Sequence, residues 1–472
     1  MRLLLLTAVA DTTADYATDP LLKRWRKLGV AVEGTQRDPS SALRMDSGER
    51  RFRTVDAVFF GASSDKRFGA ARLYRIGQSN LPVGECPSIY ALPNKSSPGF
   101  EEQYKRLLKA QALPTHVFKN GARPTDPLFN GTGRGGDAYS LGNLPLDPKL
   151  RQVANATFAT EPRREDSGKY YASKDVEMPG GRRWNMGWAQ HVAVGGSGPQ
   201  ALPREVTYNA ALKQLQWAPP VETERLREAV LFNNTVKLSA EGTYLRLPRG
   251  AGAQAEVIVR LLLPARGARF SLQVGCEQGG INCTDVYVEG GATADAVTVG
   301  VLPAAQSTVS DIKPQATTLR LAPGESHVEL RVFVDHFIGE AFFQGGREAF
   351  TFDVRQSAQM RLRSSGGVSV GATASATAWA LGSILVSKEQ VLATPRIDGP
   401  LLKTDYNEGA SSAPSPHSTW PLLLAAATGS AVALMLMAFR RVISPSSKRP
   451  SSATSRAART TRSTSRSCCR PT

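Results

Sequence analysis

Alternation with a period of two dominates the second half of the chain. From residue 222 onward apolar side chains recur as Tyr244, Leu245 and Leu247, along 257–263, as Phe270, Leu272 and Val274, and as Val328, Leu330, Val332 and Val334. Successive side chains of a strand point to opposite faces, and Gly and Pro punctuate these runs, so the pattern predicts a β-sandwich. Between residues 1 and 220 shorter apolar stretches, at 55–60, 72–76 and 183–194, alternate with turn-rich segments. That spacing predicts a propeller, a barrel or a sandwich. Residues 100–113 are the helical exception: Tyr104, Leu107 and Leu108 share a face, and Glu101 with Lys105 and Glu102 with Arg106 make i,i+4 pairs.

Two apolar runs lie near the ends. Residues 421–439 carry 19 positions without a charge, which as a helix span about 28 Å, one bilayer crossing. Trp420 precedes the run and Arg440 and Arg441 follow it, an aromatic anchor and a positive-inside signal that place the body outside and the tail in the cytosol. The membrane segment is therefore expected over 420–441, with a buried core helix as the alternative. Residues 387–419 are rich in Ser and Pro and read as a stalk, and 442–472 as a disordered basic tail. The N-terminal MRLLLLTAVA fits either a signal peptide, with Ala8 and Ala10 in an A-x-A arrangement, or a core strand from Leu3 to Val9.

Composition narrows the class. A length of 472 residues implies two to three domains, read here as 1–220 and 221–386 before the stalk. With 41% hydrophobic and 21% charged residues global disorder is excluded, and 42 Gly with 30 Pro argue against a helical bundle. Of the net charge of +17, nine positive charges and no acid lie between Arg440 and Thr472, leaving +8 for the body. A nucleic-acid-binding body is not expected. Sequons begin at Asn94, Asn130, Asn155, Asn233 and Asn282, all before the apolar run, in agreement with an extracytoplasmic body. Cys276 and Cys283, separated by EQGGIN, either pair across a hairpin or remain thiols. Cys468 and Cys469 in the tail are candidates for S-palmitoylation. The five histidines show no H-E-x-x-H spacing, and no Walker loop, dinucleotide fingerprint or G-x-S-x-G occurs, so neither metal nor cofactor is expected.

What remains are carboxylates beside residues able to tune them: Arg37-Asp38-Pro39, Glu85-Cys86-Pro87 and the stretch from Asp166 to Lys174, DSGKYYASK. Taken singly, each is a weak signal, and an Asp beside an Arg is more often a surface or turn pair. Their order, R-D-P, E-C-P, then D-x-G-K-x-Y-A-S-K followed by R-R-x-x-x-G-W, resembles glycoside hydrolase family 32, the β-fructosidases that include acid invertases. The resemblance continues through QALPR (200–204), KQLQW (213–217), ERLR (224–227) and LRVFVDHFIGEAFFQGGR (330–347), covering residues 4 to 356.

The resemblance implies a five-bladed β-propeller, incomplete here, followed by a C-terminal β-sandwich, acting on β-fructofuranosides such as sucrose or fructan-type carbohydrate by a retaining two-carboxylate mechanism. It implies Glu85 as general acid/base with Cys86 setting its environment, Asp38 as transition-state stabiliser gripping sugar hydroxyls with Arg37 as its charge partner, and Asp166 with Lys169 as a substrate-recognition pair. The family's nucleophilic Asp lies in an N-D-P-N-G-like motif upstream of R-D-P, and no such motif occurs between Met1 and Arg37. The chain is accordingly expected to start inside the propeller, and the alternative function is a catalytically dead carbohydrate-binding membrane protein. Gly84, Ser88 and Leu43 stand where the family usually has an aromatic, an Asp and a Trp.

Overall fold

The computed structural model describes the backbone of residues 3–10, 25–34, 43–44, 50–53, 58–64 and 71–78. Over residues 80–384 it describes backbone and side chains, apart from segments of which 94–113, 145–154, 191–197, 305–314 and 366–371 are the longest; Asp38 and Ser40 are described as well. The helix expected at 100–113, nearly all of the stalk, the segment 420–441 and the tail lie outside the described residues. Among the described residues no helix is long and apolar enough to cross a membrane.

The first half is built of antiparallel sheets whose strands follow one another in the chain. Strands β1 (Leu3–Ala10) and β2 (Trp25–Gly34) form a ribbon, so the first apolar run is a strand. β3 (Leu43–Arg44), β4 (Arg50–Arg53), β5 (Val58–Ser64) and β6 (Ala71–Gln78) make a four-stranded meander. β7 (Glu85–Ala91), β8 (His116–Ala122) and β9 (Gly136–Asn143) make the next, with the short β10 (Thr157–Phe158) and β11 (Arg163–Arg164) both paired to β9. β12 (Tyr170–Met178), β13 (Arg182–Ala189), β14 (Arg204–Asn209) and β15 (Gln214–Ala218) complete the series. The last two meanders share one apolar cluster, with Tyr90, Val117, Tyr139 and Leu141 on one side and Val206, Tyr208, Leu215 and Trp217 on the other. Trp217 meets Tyr139 edge to face, and the Tyr139 hydroxyl accepts the Leu215 amide at 3.2 Å, so that hydroxyl is hydrogen-bonded across the two sheets.

The second half contains two six-stranded sheets. Its strands are β16 (Arg227–Lys237), β17 (Thr243–Leu245), β18 (Gln254–Leu262), β19 (Arg269–Cys276), β20 (Thr284–Gly290), β21 (Ala296–Leu302), β22 (Gln315–Arg320), β23 (His327–Asp335), β24 (Ile338–Phe343), β25 (Glu348–Asp353), β26 (Gln359–Ser365) and β27 (Thr373–Leu381). One sheet runs β16-β27-β18-β23-β24-β25 and the other β17-β26-β19-β20-β21-β22. The alternating residues of β18, β19 and β23 that the sequence singled out, Val257, Val259, Phe270, Leu272, Val274, Leu330 and Val332 among them, all enter a single core fed by both sheets. Burial of such apolar area, at about 25 cal/mol per Å², holds the two sheets together. Cys276 and Cys283 form a disulfide across the turn between β19 and β20.

The halves meet along β25. Its outer edge is not open: the Ser167 amide donates to the Ala349 carbonyl at 2.8 Å and the Lys169 amide to the Thr351 carbonyl at 2.7 Å. Between them Gly168 lies so close that a Cβ there would stand 2.1 Å from the Thr351 oxygen, which explains the glycine of the D-x-G-K stretch.

Candidate active site

The strands that open two neighbouring meanders, β7 and β12, each carry a bulge. In β7, Glu85 pairs Gly121 and Ser88 pairs Lys119, so Cys86 and Pro87 oppose Asn120 alone. In β12, Tyr171 pairs Trp188 and Lys174 pairs Met186, so Ala172 and Ser173 oppose Gly187 alone. Each bulge begins with a non-glycine residue in the left-handed region, Cys86 at φ 46° and Ala172 at φ 55°, and Asp38 nearby has φ 53°. Backbone held in this region costs on the order of 1 kcal/mol or more per residue and persists where surrounding contacts fix it.

Those contacts join the two bulges. The Tyr171 hydroxyl donates to Glu85 Oε2 at 2.7 Å, and Lys174 Nζ donates to the Pro87 carbonyl at 3.4 Å. The Cys86 amide, freed from the ladder by its bulge, donates to Asp38 Oδ2 at 3.2 Å. Asp38, Glu85 and Cys86 are therefore brought together, each half-buried, while Arg37 lies outside the described residues. Gly84, one residue before Glu85, has no room for a side chain: a Cβ would stand 2.5 Å from Asn120 Nδ2 and 2.7 Å from the Gly121 carbonyl oxygen. An aromatic residue at 84 would require the neighbouring strand to move.

Burial pushes the Cys86 thiol up to about 11, with Lys174 opposing and Asp137 and Asp38 adding to the shift. The thiol is thus a neutral, inert neighbour of Glu85 and not a nucleophile at ordinary pH. Burial lowers the Lys174 ammonium, while Cys86, Asp38 and Asp137 favour its charge. Deeper in, Lys119 is fully buried with Asp175 at 3.3 Å, Glu165 at 3.7 Å and Asp137 at 3.8 Å. Burial works against the Lys119 charge, but these carboxylates outweigh it and raise its pKa; burial holds Glu165 well above the usual carboxylate range.

Asp166 and Lys169 are placed on a different network, at the seam with β25. Asp166 is 2% exposed. Its Oδ1 accepts the Gly168 and Thr351 amides at 2.5 and 3.1 Å, and its Oδ2 accepts Arg204 Nη2 at 2.8 Å and Thr351 Oγ1 at 3.0 Å. Arg204 also reaches Glu340 Oε2 at 3.1 Å and stacks 3.8 Å from the Tyr170 ring centroid. Lys169 pairs with Asp353. This stretch of the sequence is thus engaged with the second half of the chain.

Residues 222–380 match the family model for the C-terminal domain of glycosyl hydrolases family 32. The chain thus carries the C-terminal domain of glycoside hydrolase family 32. A fructan 6-exohydrolase of Beta vulgaris is 23% identical over 411 residues, 71% of this chain and 62% of that protein. A beta-fructofuranosidase of Arabidopsis thaliana, insoluble isoenzyme CWINV1, is 38% identical over 272 residues, 51% of this chain and 44% of that one. The chain thus spans less than two thirds of the length of these relatives. The crystal structure of fructan 1-exohydrolase IIa from Cichorium intybus in complex with 1-kestose has the same fold, with a TM-score of 0.58, 20% identity and coverage of 80% of this chain and 81% of that one.

Sequence reasoning assigned no role to Tyr171, Lys174, Lys119 or Asp137. Two of these left a trace in the alternation. Lys119 shares a strand face with the buried Val117, and Asp137 with the buried Tyr139 and Leu141: charged residues at inward positions mark a polar network. Tyr171 and Lys174 left none in the alternation, because they are three residues apart and share a side only through the bulge; their signal is their place in the D-x-G-K-x-Y-A-S-K stretch.

Proposed function

We propose that this chain carries the acid/base and sugar-gripping carboxylates of a retaining β-fructofuranosidase acting on sucrose or fructan-type carbohydrate. The observation that carries the reading is the convergence of Glu85, Asp38 and Cys86 at the paired bulges, with Tyr171 holding one oxygen of Glu85. In this role Glu85 protonates the departing glycosidic oxygen and afterwards takes a proton from water, and Asp38 binds sugar hydroxyls more tightly as charge develops. The carboxylate that attacks the anomeric carbon is not assigned to a residue of this sequence. Asp166 and Lys169 act by fixing the seam that carries β12. The sequential meanders are read as blades of a β-propeller and the two six-stranded sheets as the family's β-sandwich. Residues 420–441 are read as a membrane anchor leaving the body extracytoplasmic and the tail cytosolic, a sidedness on which the exposed sequons at Asn155 and Asn233 would be open to glycosylation.

Gly84 and Ser88, which flank Glu85-Cys86-Pro87 where the family usually has an aromatic and an Asp, favour one second reading, a protein that binds fructosides without turnover. Product release from sucrose and from 1-kestose by the full chain and by Glu85→Gln separates the two. The enzymatic reading expects release by the wild type and a loss of roughly 10²-fold or more in the variant at unchanged melting temperature. Binding by calorimetry with no release supports the second reading. Undiminished release in Glu85→Gln overturns the site.

A further inference from the structure

We propose that Asp137 and Lys119 are positioning residues for Glu85, acting through the Ala172–Ser173 bulge of β12. The proposal rests on the reading of Glu85 as the acid/base. In a regular strand residues three apart point to opposite faces. The extra residue at Ala172–Ser173 brings Tyr171 and Lys174 to one side, where the first reaches Glu85 Oε2 and the second the Pro87 carbonyl. Losing the bulge would turn one of the two away.

The bulge deprives Ser173 of a ladder partner, and side chains of the neighbouring meander replace it. Asp137 Oδ2 accepts the Ser173 amide at 2.7 Å, and Lys119 Nζ donates to the Ser173 carbonyl at 2.8 Å. Asn185 Nδ2 adds a bond to Ser173 Oγ at 3.1 Å and one to Asp175 Oδ1 at 3.0 Å. A fully buried lysine among three carboxylates is weak as a source of stability compared with apolar packing; its use lies in specifying one backbone geometry. The β7 bulge is held in the same manner, its Cys86 amide taken by Asp38. Each bulge is thus pinned by an aspartate that precedes its sheet in the chain. Among the described residues, Tyr171 on β12 reaches Glu85 directly, and the other charged or titratable groups bonded to the two bulges are Asp38, Lys119 on β8, Asp137 on β9 and Lys174 on β12.

The test uses the full chain with Asp137→Ala, Asp137→Asn, Tyr171→Phe and the double variant Asp137→Ala with Tyr171→Phe. A donor to a carboxylate favours its ionised form, so losing it moves the alkaline limb of the pH–rate profile for sucrose hydrolysis upward by about one pH unit. Asp137→Ala should move the limb as far as Tyr171→Phe does, the double variant no further, and Asp137→Asn, which keeps an acceptor oxygen, should stay with the wild type. An unmoved limb in Asp137→Ala, or additive shifts in the double variant, overturns the proposal. Hydrogen exchange decides independently of turnover: the Ser173 amide should exchange as slowly as its ladder neighbours in the wild type and roughly tenfold faster or more in Asp137→Ala. Fast exchange at Ser173 in the wild type overturns the pin even where Asp137→Ala fails to fold. A wild type that hydrolyses no fructoside but protects Ser173 overturns the fructosidase reading and leaves the pin standing.

Discussion

Replacing Arg204 by Met removes a buried cation that ties β14 to the second half of the chain. Arg204 is 0% exposed, and its Nη2 donates to Asp166 Oδ2, Glu340 Oε2 and Thr351 Oγ1 at 2.8, 3.1 and 2.9 Å. Met has similar length and no charge, so Asp166 and Glu340 would stay buried without their counter-ion. Breaking such a pair costs roughly 3–5 kcal/mol, and loss of the stack on Tyr170 adds to it. In the other direction, Arg204 Nε and Nη1 are buried without hydrogen-bond partners, a penalty of about 1–3 kcal/mol that Met relieves. The net expectation is a loss of about 3 kcal/mol at pH 7, large against a typical total of about 5–15 kcal/mol.

Urea unfolding of the two proteins measures this loss directly. The pH dependence supplies a second signature. Burial already raises the Glu340 carboxyl, with Arg204 opposing. Without Arg204 the folded-state value rises further, so the variant binds a proton more readily folded than unfolded. Its stability then falls as pH rises, and the deficit against wild type shrinks between pH 7 and pH 5. A loss below about 1 kcal/mol, or a deficit that grows toward acid, would refute the account of Arg204 as the clamp of this seam.

The remaining expectations concern the acid/base, a second buried acid and the disulfide. On the fructosidase reading proposed above, Glu85→Gln should lower sucrose turnover by roughly 10²-fold or more while circular dichroism and melting temperature stay those of the wild type; undiminished turnover removes Glu85 from the mechanism. Burial pushes the Glu348 carboxyl up to about 8 against the pull of Arg163, Arg320 and Arg164, so the stability it contributes is present below its unfolded value of about 4.3 and is lost as pH rises toward 8. Glu348→Gln should therefore flatten the stability curve between those limits, and an unchanged slope would contradict the shift. Cys283→Ser, opening the short loop closed with Cys276, should lower unfolding stability by about 2 kcal/mol, and equal denaturation midpoints with and without reductant would show that the bond does not form.

The strands were legible because they follow the simplest periodicity a chain can carry. Phe270, Leu272 and Leu330 alternate with polar neighbours and all face one core. Asp38, Glu85 and Cys86 were legible as short motifs and do converge. The two bulges were not, since a bulge is a property of how two strands are paired and neither Cys86 nor Ala172 is a glycine that would advertise a left-handed backbone. For the same reason Tyr171 and Lys174 could not be assigned to the site from their spacing. Asp166 and Lys169 show the limit of a local motif: the direct contacts Lys169–Asp353 and Asp166–Thr351 span separations of 184 and 185 residues. No window along the chain contains both ends of such a pairing.

The segment from Asp166 to Lys169 also bears on what can be cut from this protein and still fold. Residues 222–380 are recognisable as a family domain, yet the rim of β25 is clothed by backbone that lies outside them, and Glu340 takes its counter-ion from Arg204 and an amide from Leu202. Excised at the family boundary, that domain would bare a row of unpaired peptide groups beside a stranded acid, a template for self-association. The unit that folds is larger than the domain that the family model covers.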